Sequence, residues 1–114
     1  MSDFLGIDTS NYTTSAAIYE SHHNVLLQEK MLLPVKKGEK GIRQSDAVFH
    51  HTVQLPEIID KLFKKTGKRD ISVVGVSYAP RRLEGSYMPC FLTGISAATA
   101  VSRALSVPLY RFSH

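Results

Sequence analysis

Asp8 follows a short apolar run, Phe4-Leu5-Gly6-Ile7, and precedes a segment rich in hydroxyls and amides, Thr9-Ser10-Asn11-Tyr12-Thr13-Thr14-Ser15. A carboxylate beside a cluster of hydroxyl and backbone N–H donors can hold the waters of a Mg²⁺ ion, while the donors take phosphate oxygens. Asp8 is therefore the candidate metal-orienting group, and Thr9, Ser10, Asn11 and Thr13 are candidate phosphate contacts. A plain polar hairpin with a carboxylate at its mouth has the same composition, because Asn, Ser and Asp favour turns by bonding nearby backbone. A second candidate is the loop PRRLEGSYM at 80–88. Its Arg81 and Arg82 could grip phosphate or carboxylate through bidentate bonds.

These residues need elements to position them. The apolar runs on either side of residues 9–15 predict a strand, a tight turn and a second strand, since Thr and Tyr suit pleated flanks. Ser21-His22-His23-Asn24 reads as a second turn into a third strand that Pro34 ends, giving an antiparallel meander. His22 and His23 have no third ligand in view and read as a solvated turn. Residues 35–45 are rich in glycine and lysine and read as a loop. A helix is predicted over 46–66 from the spacing of Val48, Leu55, Ile58-Ile59 and Leu62-Phe63. Ser45 or Asp46 should cap its start and Gly67 mark its end. Pro56 should kink or divide it, and only one of His50 and His51 can share its buried stripe.

Residues 71–79, ISVVGVSYA, form a β-branched run expected to be buried on both faces. Pro89 should open a second helix reaching Leu105, whose Gly94, Ala97, Ala98, Ala100 and Ala104 allow close packing on the sheet. A last short strand is expected over 107–112. Three strands, a helix, a strand, a helix and a strand is the element order of an α/β fold, the RNase H-like or actin-like ATPase lobe. Its five-stranded mixed sheet has spatial order 3-2-1-4-5. Strands one, four and five would run parallel, so Asp8, Arg81, Arg82 and His114 would share the carboxyl edge where open α/β sheets bind ligands.

A chain of 114 residues is at most one domain, with room for one core. Its single cysteine, Cys90, excludes an internal disulfide and agrees with a reducing compartment. No apolar run approaches the roughly 18 residues that span a bilayer, and the N-terminus lacks a signal-peptide pattern. The expectation is therefore a cytoplasmic location and no membrane partner. The net charge of +4 comes from basic clusters at 36–43, 61–69 and 81–82. Without interleaved aromatics these read as solvated faces rather than a nucleic-acid platform.

Gly6-Ile7-Asp8-Thr9-Ser10, a short polar turn and Thr14-Ser15-Ala16-Ala17-Ile18 resemble the opening of the TsaD-type tRNA threonylcarbamoyladenosine transferases, long described as O-sialoglycoprotein endopeptidases or glycoproteases. The spacing from His50 to Pro56 and the stretch from Gly94 to Pro108 are also similar to that family. The resemblance covers nearly all of this chain but only the first part of the family's N-terminal actin-like lobe, so it implies a second lobe that these residues do not contain. It implies ATP and a divalent metal (Mg, Fe or Zn), both bound only in the complete protein. It also implies a metal-ligand role for His114, which falls on the first histidine of the family's His-x-Glu-Gly-His.

The departures are specific. Of the family's Ala-Ser-Arg-x-His, Asp46-Ala47-Val48-Phe49-His50 keeps only the histidine, and Pro80-Arg81-Arg82-Leu83 replaces its Gly-Pro-Gly-Leu turn. Arginine cannot imitate a glycine's close backbone approach. The resemblance therefore implies a divergent paralogue with a changed substrate or none.

Two functions remain open. One is a nucleotide- and metal-binding fragment of a group transferase, inactive alone, with tRNA as the acceptor that the resemblance implies. The other is a non-catalytic scaffold or homodimer pairing through the 89–105 helix or the 35–45 loop. A protease finds no paired nucleophile and base. An RNase H-like nuclease would need several converging carboxylates, and Asp8 has only Glu84 as a companion.

Overall fold

The computed structural model describes residues 3–10, 12–34, 43–79 and 89–113. Seven elements follow in order: β1 (Asp3–Asp8), β2 (Thr13–Glu20), β3 (Val25–Leu32), α1 (Gln44–Thr66), β4 (Ile71–Ala79), α2 (Phe91–Leu105) and β5 (Leu109–Ser113). The sheet order is β3-β2-β1-β4-β5. β1 pairs antiparallel with β2 and β2 with β3, while β4 runs parallel to both β1 and β5. This is the mixed sheet expected of an actin-like ATPase lobe.

Alternation in the strands explains the layering. In β1 and β2 the residues Leu5, Ile7, Ala16 and Ile18 are buried, and their neighbours are half-exposed. The buried set meets Leu55, Ile58 and Leu62 of α1, Ala98 of α2 and Val74 and Val76 of β4 in one core. Burying each large aliphatic side chain there contributes about 1.5–3 kcal/mol. α1 lies on β2 and β3, α2 on β4 and β1, and the two helices touch. Both helices therefore cover the same face of the sheet.

Several sequence expectations need correction. β4 is fully buried at Val74 and Val76 but half-exposed at Val73 and Gly75, because the described helices cover only one of its faces. α1 begins at Gln44, and neither Ser45 nor Asp46 caps it; Arg43 stands at the N-cap without a side-chain bond. The Gln44 carboxamide oxygen accepts instead from the Cys90 N–H at 3.1 Å, so a long-range contact fixes this end. Asp46 still lies in the first turn, where a carboxylate favours the helix dipole. Pro56 does not divide α1. It lies with Thr52, whose carbonyl would have taken the missing bond, on the exposed side of the helix, where the loss of that bond costs least.

α2 starts at Phe91, two residues after Pro89, whose carbonyl accepts from the Leu92 N–H at 2.9 Å. The far ends follow expectation more closely. Gly67 closes α1 at φ 77°, a conformation suited to glycine. The last strand starts at Leu109 because residues 106–108 make the turn out of α2, with Ser106 left-handed at φ 56°.

At the amino-terminal end of the sheet, Glu20 accepts from Arg69 Nη1 at 2.9 Å and pairs with His23. The His23 bond first, and then the Arg69 bond, hold the Glu20 carboxyl below the usual carboxylate range. A carboxylate with a lowered folded-state pKa stabilises above its unfolded value, near pH 4.3, and loses that contribution as pH falls through the folded value. Glu20→Gln should therefore melt below wild type at neutral pH. The gap should narrow as pH drops below about 4, which thermal melts between pH 3 and 7 would read.

Candidate functional site

The carboxyl end of β1 delivers Asp8 to the mouth of the β1–β2 hairpin. One oxygen, Oδ1, accepts from the Ser10 N–H at 2.9 Å, the bond that shapes the turn. The same oxygen accepts from Ser77 Oγ on β4 at 2.6 Å. Ser77 is fully buried, so a rigid neighbour strand orients the carboxylate from behind. The turn closes with the Thr13 N–H donating to the Ser10 carbonyl at 3.4 Å.

Asp8 opens on a cleft of about 350 Å³ lined by Ser10, Tyr12, Thr13, Ser15, Gln28 and Lys30. Register accounts for the lining. Asp8 stands opposite Ser15, and Ser15 opposite Lys30, so the three form a row across β1, β2 and β3. The row lies on the face that neither helix covers. A carboxylate, four hydroxyls, an amide and an ammonium make a polar, oxygen-rich site.

Thr9 turns the other way. It is fully buried, its Oγ1 donating to the Cys90 carbonyl at 2.9 Å and accepting from the Gly94 N–H at 3.1 Å. Its side chain anchors the start of α2 to the end of β1 and does not line the cleft. Of the candidate residues, Asp8, Ser10 and Thr13 come together, whereas Asn11, Arg81, Arg82 and His114, with Glu84, lie outside the described residues. Among the described residues no group of three or more His, Cys, Asp or Glu gathers as a metal site.

The sequence reading missed two features. Ser15, Gln28 and Lys30 enter the cleft through cross-strand register, which a four-residue connection between β1 and β2 makes inferable in principle. Behind the cleft wall, Thr14 of β2 bonds His51 Nδ1 at 2.7 Å and Gln54 Oε1 at 3.0 Å, and Gln54 Nε2 donates to the Leu32 carbonyl at 3.0 Å. His51 and Thr14 are fully buried. Of the two adjacent histidines, His51 is therefore the interior one. Alternation places Thr14 on the opposite face from its neighbours Thr13 and Ser15, so this cluster braces the cleft from the helix side.

A larger recess of about 560 Å³ lies at the start of β5, lined by Thr99, Ser102, Arg103, Ser106, Val107, Pro108, Leu109 and Arg111. It sits at the amino-terminal edge of the parallel strands, whereas open α/β sheets bind ligands at the carboxyl edge. The C-terminal end of α2 also points into it, and helix C-termini disfavour anions.

No family model matches the chain. Individual relatives do. The tRNA N6-adenosine threonylcarbamoyltransferase of Archaeoglobus fulgidus is 28% identical over 110 residues, covering 96% of this chain and 32% of that protein. The enzyme of the same name from Brachyspira hyodysenteriae is 34% identical over 113 residues, again 96% of this chain and 32% of the relative. The chain is homologous to one stretch of these transferases. It spans about a third of the length of these curated relatives. Among solved structures, YeaZ from Pseudomonas aeruginosa superposes with a TM-score of 0.70 over 99% of this chain and 43% of that one, at 16% identity. That likeness carries the fold, the same actin-like lobe. No described helix is long and apolar enough to cross a membrane.

Proposed function

We propose that this chain is the first part of the nucleotide-holding lobe of a protein of the threonylcarbamoyltransferase type, and that it binds the phosphates of Mg·ATP without completing group transfer by itself. The observation that carries this reading is the Asp8 carboxylate, fixed by Ser10 and Ser77 at the carboxyl edge of the sheet and open to a hydroxyl-lined cleft. Homology to the transferases supports it.

Asp8 with the hydroxyls around it is an all-oxygen set, which suits Mg²⁺ held through its waters. Bound there, the ion would neutralise phosphate charge. Ser10 and Thr13 would donate to phosphate oxygens, joined by Asn11, Arg81 and Arg82, and Thr9 would hold the start of α2 in place behind them. A histidine-held Fe or Zn would require His114 and partners beyond these residues. The acceptor is tRNA in this reading, and the location cytoplasmic.

Titration calorimetry tests the proposal. Mg·ATP should bind the chain, and Asp8→Asn should weaken it about tenfold or more by removing the charge that attracts the metal. Equal binding by both proteins, or none by wild type, would refute it.

A second reading, a homodimer or scaffold, is favoured by the groove between α1 and α2. It holds about 450 Å³ and is lined by Thr52, Leu55, Pro56, Leu92, Thr93, Ser96, Ala97 and Ala100. Leu92, Phe49 and Val53 are exposed on the same two helices. Light scattering on the calorimetry samples separates the two: a monomer that binds Mg·ATP supports the first reading, and a dimer indifferent to nucleotide supports the second.

A further inference from the structure

We infer that Lys30 of β3 is a phosphate-binding residue of the cleft, making contact with a polyphosphate chain whose metal is held at Asp8. The inference rests on the phosphate reading of the cleft and adds a residue from a third strand. It starts from the face of the sheet left open by the helices. Strand register places Phe4, Gly6 and Asp8 of β1 on that face, together with Thr13, Ser15, Ala17 and Tyr19 of β2. Leu26, Gln28, Lys30 and Leu32 of β3 follow. β4 adds Val73, Gly75 and Ser77, and β5 adds Tyr110 and Phe112. Among these strand residues Asp8 and Lys30 alone carry charge, and both stand at the cleft.

Lys30 has no carboxylate partner among the described residues. Lys61, Lys64 and Lys65 each pair with one, at Glu57, Asp60 and Glu29, but Lys30 faces Ser15 across the strand pair and has Gln28 and Leu32 beside it on its own strand. With strands spaced about 4.8 Å apart, the Asp8 and Lys30 backbones stand roughly 10 Å apart. The lysine and aspartate side chains together can span that distance, so a phosphate oxygen and a hydrated cation placed over the row are within reach of both. Lys30 also borders a second, more apolar recess of about 400 Å³ shared with Thr13 and Leu32, so its stem has apolar surface to lie on while the ammonium reaches the cleft. An ammonium on a flexible stem is a point-charge partner for phosphate.

The test titrates the chain with Mg·tripolyphosphate and, separately, with Mg·ATP, using wild type, Lys30→Met and Lys30→Arg. Lys30 is exposed, and thermal melts of the three proteins should coincide. Lys30→Met should weaken tripolyphosphate about tenfold, and Lys30→Arg should stay within about threefold of wild type. Unchanged affinity in Lys30→Met, or no tripolyphosphate binding by wild type, overturns the inference. If tripolyphosphate binds through Lys30 but ATP binds no more tightly, Lys30 keeps its role and the nucleotide reading falls. If ATP binding survives Lys30→Met undiminished, the nucleotide reading stands without Lys30.

Discussion

Thr14→Val should lower the stability of this chain by about 2–5 kcal/mol, a large effect for a change of one atom group. Gln54 Nε2 donates to the Leu32 carbonyl, so its Oε1 is the atom facing Thr14. The single Thr14 hydroxyl proton goes to that oxygen, and His51 must then donate to Thr14 Oγ1 through a protonated Nδ1. Thr14 is thus the hub between β2 and α1. Valine keeps the shape but leaves the His51 N–H and the Gln54 carbonyl unmatched in the interior, at about 1–3 kcal/mol each. Thr14→Ser keeps the hydroxyl and should cost only about 1 kcal/mol for the lost methyl. Urea unfolding of both variants reads the difference. Near-equal losses for Val and Ser would show that the methyl, not the hydroxyl, carries the stability.

Gly94→Ala should destabilise by about 1–3 kcal/mol, although alanine is the better helix former. A Cβ at Gly94 would stand 2.9 Å from Thr9 Oγ1 and 3.4 Å from both Ile7 Cγ2 and Thr9 Cγ2. Neither Thr9 nor Ile7 can retreat easily, because both are fully buried and the Thr9 hydroxyl is bonded to two backbone groups of α2. The α2 axis would have to move off the end of β1, breaking the clamp at Thr9. Since Thr9 adjoins Asp8, the same variant should also weaken ligand binding at the cleft. Unfolding midpoints at or above wild type would contradict this account and favour helix propensity over packing.

The sheet order was legible because the strands carried local signals: apolar runs on either side of the 9–15 turn in β1 and β2, a β-branched run in β4, and short turns that forced antiparallel pairing. The carboxyl edge followed from element order, which is why Asp8, Ser10 and Thr13 were placed at the site from sequence. What escaped depends on contacts between distant residues. The start of α1 is set by Gln44 reaching Cys90, 46 residues away, and no capping pattern encodes that bond. Helical spacing could not choose between His50 and His51, since the choice rests on Thr14 and Gln54 meeting across 40 residues. Thr9 looked like its polar neighbours, but its side chain points inward because β-strand alternation continues one residue past Asp8. Lys30 is a lone lysine in a strand, and only cross-strand register links it to Asp8.

The central claim, that Mg·ATP occupies the Asp8 cleft, is tested most directly by following backbone amide resonances of this chain during a Mg·ATP titration. The account predicts saturable shifts centred on Asp8, Ser10, Thr13, Ser15 and Ser77, with little change near Arg103 and Arg111. No saturable shift, or shifts centred instead on the recess at the start of β5, would contradict it.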